Sequence, residues 1–443
     1  MSTLGEGFDA DAVSLARLLV AEGRAVTLAG SGPATGEALA LRALEVDVRE
    51  HADLDRDPGE PDEAFLDVWT PEVAPRVSRL RAARARVRCL GDLVLERAGV
   101  PTIGVTGTAG KTTTAFLLVQ LLRAAGMEVH ASTTARAGNL WPTAELLSAP
   151  TSGVAVLELT SSHLCFTTHS PSIATITCFW PDHLELHGSL ARYRAAKETI
   201  ARGQSAGDVV VANEDDAGAA AIAALSPGRR VGFSATAEVE EGAFLRGGTI
   251  VARGGGEERV LALPVGLDGP RRQALLAAVD AATAAGPIPT GLERLRLPEL
   301  RVVVVGSRDG VELVDDGMAA TPAKTAAALR ERPDRSVVLV AGGELTSVGL
   351  PVHASPEEHR LLEDACAEVR RAAGLVVLFG PAAGRLASLL DPSRVVVAGD
   401  VERAVATAGA HLSGSQALLV SPMFPVSLEE RERIAPALRS LVR

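Results

Sequence analysis

The stretch Ile103-Gly104-Val105-Thr106-Gly107-Thr108-Ala109-Gly110-Lys111-Thr112-Thr113-Thr114 determines which fold and chemistry we expect of this 443-residue chain. It follows a β-branched run that predicts a strand, and it leads into apolar residues with helical spacing that predict a helix over 113–125. Its glycines let the backbone curl so that N–H groups face a polyphosphate at the start of that helix. The pattern therefore predicts a loop that binds a polyphosphate (P-loop), and its binding residues would be Thr108, Gly110, Lys111, Thr112 and Thr113.

Two side chains of this loop have specific expected roles. Lys111 would reach the β- and γ-phosphates, and the Thr112 hydroxyl would ligate Mg²⁺. Val105 stands where the full GxxxxGK[ST] pattern has its first glycine. A glycine-rich turn between a strand and a helix, with an incidental lysine, is therefore the alternative interpretation.

Short β-branched runs alternate with helical segments along most of the chain, which is typical of an α/β fold with parallel sheets. The predicted strands are 25–29, 102–106, 154–159, 173–177, 209–212, 302–305, 337–340, 376–379, 395–397 and 418–420. Residues 226–265 alternate polar and apolar side chains over short distances, which predicts hairpins. Glycine- and proline-containing stretches at 98–101 and 286–298 suggest boundaries, so we expect three domains over 1–98, 99–298 and 299–443.

Composition excludes several classes of protein. The formal net charge of −11 argues against general binding to nucleic acid or to an anionic membrane. Four widely spaced cysteines form no zinc-like pattern and are typical of reduced thiols in a cytoplasmic chain. No apolar run reaches the 18 or so residues of a membrane span. Nothing in the sequence demands an oligomer, so we expect a monomer.

Downstream residues add candidate metal ligands and acid–base groups. Glu158 ends a predicted strand, at the edge of the sheet where ligands of α/β proteins bind, although taken alone it would be better explained as a surface carboxylate. Two histidines and two carboxylates fall within residues 182–187. The following helix carries Tyr193 and Lys197 four residues apart, and therefore on one face.

Four segments together resemble the Mur ligase family, the ATP-dependent amide ligases of peptidoglycan synthesis. The family loop TGTNGKTT is similar to residues 106–113, and the family segment ELSSFQL resembles residues 158–164. The family pattern DHLDxHG…Y..AK is similar to residues 182–197, and the LNADD turn to residues 212–216. The order and spacing of these segments are more specific than any one of them.

This resemblance implies a fold and a reaction. It implies a Rossmann-like N-terminal domain, a central P-loop ATPase-type parallel sheet and a Rossmann-like C-terminal domain. The implied reaction uses ATP and Mg²⁺ to join D-glutamate to UDP-N-acetylmuramoyl-L-alanine through an acyl phosphate. The implied partners are these small molecules, with no nucleic acid and no membrane.

The resemblance also implies a role for each matching residue. Thr112, Glu158 and His183 would hold Mg²⁺, and Lys197 would be the lysine that is carbamylated to bridge a second Mg²⁺. The catalytic residues would be Lys111, His183 and Lys197. The remaining implied contacts are Asp316 and Arg271 with the nucleotide, and Gly5, Gly7, Asn139, Ser161 and Ser421 with the substrates, where Gly5 and Gly7 belong to a predicted GxGxxA turn.

Several positions depart from the family pattern. Met318 and Thr346 replace two lysines that the family uses around the acyl phosphate or the amino-acid carboxylates, and Ala109 replaces the loop asparagine. A desolvated carboxylate needs a paired charge, so the loss of two cations is a chemical problem. Two alternatives therefore stay open: a relative that joins a different carboxylate and amine, and a silent paralogue that binds nucleotide or a partner.

Overall fold

The structure is a computed structural model that divides into two compact units. The first unit comprises Met1–Trp180, Leu186–Val265 and Gln273–Leu297, and the second comprises Pro181–Glu185, Gly266–Arg272 and Pro298–Arg443. The described residues are 2–6, 10–30, 40–50, 53, 56–57, 59–66, 73–132, 140–148, 151–264, 267, 269–286, 288–298, 303–330, 332–334, 336–347, 350–412 and 416–442.

The first sheet of the first unit is parallel throughout and has the Rossmann-like order β3-β2-β1-β4-β5 among the described residues. Its strands are β1 (Ser2–Glu6), β2 (Ala25–Gly30), β3 (Asp47–Glu50), β4 (Glu63–Phe65) and β5 (Arg86–Arg88). The accompanying helices are Ala10–Ala21, Ala74–Ala82 and Leu90–Arg97. Gly5 pairs with Leu28 and Phe65 inside β1, so its predicted place in a turn was wrong.

The second sheet of the first unit has the order β14-β13-β12-β11-β10-β9-β6-β8-β7 among the described residues. Its strands are β6 (Thr102–Thr106), β7 (Val129–His130), β8 (Val154–Glu158), β9 (Ile173–Ile176), β10 (Val209–Asn213), β11 (Arg229–Ser234), β12 (Gly242–Arg246), β13 (Thr249–Gly254) and β14 (Glu257–Ala262). Strands β6 to β11 pair in parallel, and β12 to β14 form the antiparallel hairpins predicted for 226–265.

Helices connect these central strands, as expected for parallel pairing. They are Lys111–Ala124, Ser161–Leu164, Leu184–His187, Leu190–Arg202, Ala217–Ala223 and Gly269–Ala285, with 3₁₀ turns at Ala144–Ser148 and Leu292–Arg294. The first of them begins at Lys111, two residues before the predicted start at 113, because Gly110 in the left-handed conformation begins the helical turn directly.

The sheet of the second unit has the order β15-β16-β22-β17-β20-β21 among the described residues. Its strands are β15 (Val303–Arg308), β16 (Val311–Asp315), β17 (Val337–Gly342), β20 (Ala373–Phe379), β21 (Val395–Val397) and β22 (Ala417–Met423), and a separate hairpin joins β18 (Thr346–Ser347) to β19 (Leu350–Pro351). The helices are Pro322–Arg330, Pro356–Ala372, Ala383–Ala387, Val401–Gly409 and Leu428–Ser440, with a 3₁₀ turn at Pro392–Arg394.

These three sheets confirm the predicted α/β fold with Rossmann-like first and last sheets and a central, mainly parallel sheet. The predicted strands are all present, with ends that move by a few residues. The domain boundaries at 98/99 and 298/299 stay predictions.

Candidate functional site

The P-loop links β6 to the helix Lys111–Ala124, and two glycines give it its shape. Gly107 has a φ of 152°, and a Cβ there would lie 1.8 Å from the Thr177 hydroxyl oxygen. Gly110 has a φ of 82° and caps the helix. In general, the first N–H groups of a helix have no partner within the helix and lie at the positive end of its dipole, which together favour a phosphate.

Lys111 folds back over the loop. Its Nζ lies 2.9 Å from the carbonyl oxygen of Gly107 and 3.4 Å from that of Thr108. The side chain is partly exposed, and its ammonium group therefore lies at the loop, where the phosphates of a nucleotide would bind. Thr113, which was also predicted to bind the nucleotide, is buried in the first turn of the helix.

Thr112 and Glu158 form a buried pair beside the loop. Parallel pairing of β6 with β8 sets Val105 against Glu158, so the carboxylate lies next to the start of the helix. The Thr112 hydroxyl donates to Glu158 Oε1 at 3.1 Å, while Glu158 Oε2 is buried without a hydrogen-bond partner among the described residues. A buried carboxylate oxygen without a donor is costly, and a cation would satisfy it.

The pair fits Mg²⁺, which prefers hydroxyl and carboxylate oxygens and is commonly held by one or two protein ligands plus substrate phosphates. Among the described residues, no three His, Cys, Asp or Glu side chains converge on one point as a metal site. Thr112 and Glu158 would therefore supply part of the coordination of Mg²⁺, and a bound nucleotide the rest.

The helix Leu190–Arg202 brings Tyr193 and Lys197 to the same loop, as their spacing predicts. The Tyr193 hydroxyl lies 3.0 Å from the Thr108 hydroxyl. Lys197 Nζ lies 2.9 Å from the Gly107 carbonyl oxygen and 5.0 Å from the centre of the Tyr193 ring. Both residues are 1% exposed, so the Lys197 amine is held in a nearly dry site against the P-loop.

A third buried contact lies close by in the same unit. Ser161, the first residue of the helix Ser161–Leu164, lies with its hydroxyl 3.1 Å from His187 Nε2. The His187 ring also lies against Tyr193, with 5.2 Å between the ring centres. Ser161 is therefore fixed by a histidine that the sequence analysis noted only as part of a cluster.

His183 belongs to the second compact unit, as part of Pro181–Glu185. Its side chain is 47% exposed, with Nε2 3.7 Å from Asp182 Oδ2 and Nδ1 3.5 Å from Glu185 Oε1. Its φ of 53° is unusual for a residue other than glycine. Its role as a magnesium ligand stays a prediction.

Two further predicted residues meet in the second unit. Ser421 donates to Asp316 Oδ2 at 2.8 Å, and its hydroxyl lies 2.7 Å from that of Thr325. All three are buried at the carboxyl ends of β16 and β22, the edge of an open α/β sheet where ligands bind. Thr325 could not be predicted from the sequence, because a threonine in a helix carries no signal of its own.

The remaining residues with implied ligand contacts are Arg271, Gly7 and Asn139. Arg271 is half-buried at the start of the helix Gly269–Ala285. Gly7 and Asn139 lie outside the described residues.

Comparison with known proteins identifies the family. The model of the Mur ligase middle domain matches residues 105–258, which contain the P-loop, Glu158 and Lys197. The chain is 36% identical over 362 residues to a UDP-N-acetylmuramoylalanine–D-glutamate ligase of Symbiobacterium thermophilum, covering 76% of each chain. The chain belongs to the Mur ligase family. A ligase of the same name from Frankia casuarinae is 33% identical over 441 residues, which are 94% of this chain and 88% of that protein.

The fold of the Mur ligases agrees with this assignment. The MurF ligase of Thermotoga maritima, solved in complex with ADP, matches with a TM-score of 0.56 at 16% identity, over 86% of this chain and 96% of that one. Mur ligases are ATP-dependent enzymes of peptidoglycan precursor synthesis, and this chain is an enzyme of that family. None of the described helices combines the length and the apolar character that crossing a bilayer requires.

Proposed function

We propose that this Mur ligase joins D-glutamate to UDP-N-acetylmuramoyl-L-alanine, with ATP and Mg²⁺ as cofactors. The relatives from Symbiobacterium thermophilum and Frankia casuarinae carry the name of that activity and cover most of the chain. The cytoplasmic location and the monomeric state expected from the sequence are part of the same proposal.

One observation carries the ATP- and Mg²⁺-dependent part of this proposal. The Thr112–Glu158 pair lies beside the P-loop, and Glu158 Oε2 is buried without a partner among the described residues. Thr112 and Glu158 would hold Mg²⁺ here, next to the loop where nucleotide phosphates would bind. When bound, Mg²⁺ would neutralise charge on the phosphates during transfer.

The proposed reaction has two steps. A carboxylate oxygen of the UDP-linked substrate attacks the γ-phosphorus of ATP, ADP leaves, and an acyl phosphate forms. The amine of D-glutamate then attacks the acyl carbon, the tetrahedral intermediate expels phosphate, and the amine loses a proton. Lys111 and the N–H groups of the loop would bind the phosphates and stabilise the charge that develops on them.

Lys197 would act as a carbamate in this proposal. Its amine lies in a nearly dry site against the Gly107 carbonyl oxygen. Addition of CO₂ to the neutral amine, with loss of a proton, would turn a cation into an anionic oxygen ligand of the kind that Mg²⁺ prefers. His183 would complete the proposed metal ligands.

The two alternatives left open by the sequence are less well supported. A silent paralogue has no chemical need for Thr112, Glu158 and Lys197 to be buried together at the P-loop. A ligase for a different amine is favoured only by Met318 and Thr346, whereas the two relatives described above share one name.

The test is ADP release by the purified protein. We expect sustained release, beyond one ADP per protein molecule, with Mg²⁺ only when ATP, UDP-N-acetylmuramoyl-L-alanine and D-glutamate are all present. Lys111→Ala should abolish it while the thermal unfolding curve is kept. ADP release that continues without D-glutamate, or that survives in Lys111→Ala, would contradict the proposal.

A further inference from the structure

Two chain segments meet at the carboxyl edge of the sheet in the second unit. Strands β16 and β22 pair in parallel, so the residues after each strand emerge at the same edge. The Met423 N–H donates to the Ala319 carbonyl at 2.9 Å and joins the two segments. Carboxyl edges of open α/β sheets are where such domains bind ligands.

Arg431 brings a guanidinium group to this edge. It lies in the helix Leu428–Ser440, and its Nη1 is 2.7 Å from the sulfur of Met318. Its stem packs over Gly317, where an added Cβ would lie 3.6 Å from Arg431 Cγ and 3.1 Å from Asp315 Oδ1. The Arg431 stem therefore lies within van der Waals range of Gly317, and its guanidinium reaches Met318.

The charge of Arg431 is available to a ligand. A thioether is a weak acceptor for a group with five N–H donors. No carboxylate among the described residues lies within 4.0 Å of this guanidinium, whereas Arg433, two residues later, pairs with Glu429 and Glu402. Arg431 is partly buried, which strengthens its attraction for an anion.

The neighbouring carboxylate points to the kind of anion. Asp315 flanks the same glycine; burial raises its pKa, and Arg431 and Arg439 act against that rise. A carboxylate near the arginine, although not paired with its guanidinium, disfavours a phosphate dianion. It suits an amino acid, which carries an ammonium group as well as a carboxylate.

We propose that Arg431 binds a carboxylate of the incoming amino acid and replaces the cation that is absent at Met318. This inference rests on the proposed function, because it assumes that the second unit receives the amino acid. It makes Arg431 a substrate-binding residue and explains how the site binds a dianionic amino acid without a lysine at position 318.

The test compares steady-state kinetics of Arg431→Gln with Arg433→Gln, which removes one charge from the same helix. We expect Arg431→Gln to raise KM for D-glutamate about 10- to 100-fold, the loss of a charge-assisted pair, and to leave KM for ATP unchanged. Arg433→Gln should match the wild type. The double variant Arg431→Gln/Met318→Lys should recover part of the loss, because it returns a cation to the same place.

Other results would distinguish an error in the role of Arg431 from an error in the proposed function. An unchanged KM for the amino acid in a folded Arg431→Gln protein, or an equal rise in KM for ATP, would overturn the role of Arg431 while wild-type turnover still supports the proposed function. A wild type that uses another amino acid instead of D-glutamate would overturn the proposed substrate, and the same comparison with that amino acid would still test Arg431. A wild type that uses none would overturn both.

Discussion

The hydroxyl of Thr112 donates a 3.1 Å hydrogen bond to Glu158 Oε1, and the other oxygen of this buried carboxylate has no hydrogen-bond partner among the described residues. Thr112 lies in the first turn of the helix that follows β6, and Glu158 ends β8, the strand that pairs with β6. Parallel pairing therefore places a P-loop hydroxyl and a carboxylate together, with one oxygen left for a cation.

The first prediction concerns that oxygen. Glu158→Gln keeps the size of the side chain but removes its charge, so Mg²⁺ would bind more weakly. We expect kcat to fall by about 100-fold or more, and the Mg²⁺ concentration for half-maximal ADP release to rise. Thr112→Ser keeps a hydroxyl and should stay within about tenfold of the wild type. A Glu158→Gln protein with an unchanged Mg²⁺ requirement would refute the metal site.

The second prediction concerns Lys197, whose amine is buried against the P-loop. Lys197→Ala leaves a space where the proposed carbamate would stand, so activity should be lost and then partly restored by formate or acetate, whose carboxylates can occupy that space. Sodium chloride at the same ionic strength is the control and should restore nothing. If formate and acetate fail while the variant binds its metal fully, Lys197 does not act as a carbamate.

The third prediction concerns pH and stability. Burial lowers the pKa of His163 to about 4, and its Nδ1 accepts from the Thr160 N–H, which requires a neutral ring. Between pH 6.5 and about 4 the unfolded chain therefore binds a proton that the folded chain does not, so stability falls as pH is lowered through this window. We expect a loss of about 1–3 kcal/mol.

Urea denaturation at several pH values checks this prediction. His163→Asn should flatten the dependence of unfolding free energy on pH between 4 and 6.5. His359→Asn removes an exposed histidine that lies beside Glu363 and should leave that dependence unchanged. Equal pH profiles for the wild type and His163→Asn would show that His163 is not held neutral.

The fourth prediction concerns a buried ion cluster in the first unit. Arg88 is 1% exposed and contacts Glu63 at 3.1 Å, Asp92 at 2.6 Å and Glu96 at 2.7 Å. Asp92 also accepts from the N–H groups of Thr168 and His169. Asp92→Ala would leave the Arg88 charge without its most buried short partner, and we expect the unfolding free energy to fall by about 3–5 kcal/mol.

A variant at Glu96 tests whether the burial of a carboxylate, and not only its charge, determines how much stability is lost. Glu96 also contacts Arg88, but its side chain is 30% exposed, so Glu96→Ala should cost about 1 kcal/mol or less. Urea denaturation of both variants measures the difference. Similar losses in the two proteins would show that burial of Asp92 does not set the strength of the cluster.

Local patterns were enough to predict the strands and the P-loop. Alternating β-branched runs predict β6, β8 and β10, because a buried parallel strand leaves a continuous apolar signature. The i, i+4 spacing of Tyr193 and Lys197 predicts their common face, and both reach the loop. These features depend on neighbours in sequence.

Contacts between distant residues were not predictable in this way. Arg431 and Met318 are 113 residues apart, and nothing near either one indicates the other. Ser421 meets Asp316 because β22 pairs with β16, and it meets Thr325 because the helix Pro322–Arg330 packs against β22. Gly5 lies in a strand although its GxGxxA pattern is typical of a turn, since pairing on both sides of β1 determines its conformation.

The most direct test follows the oxygen atoms of the substrate carboxylate. UDP-N-acetylmuramoyl-L-alanine labelled with ¹⁸O in its alanyl carboxylate is incubated with the protein, Mg²⁺, ATP and D-glutamate. The masses of the product and of the released phosphate are then measured by mass spectrometry. We predict a product heavier by one glutamyl unit and one ¹⁸O atom transferred to inorganic phosphate. Unlabelled phosphate, or a substrate whose mass shows no added glutamate, would contradict ligation of D-glutamate through an acyl phosphate.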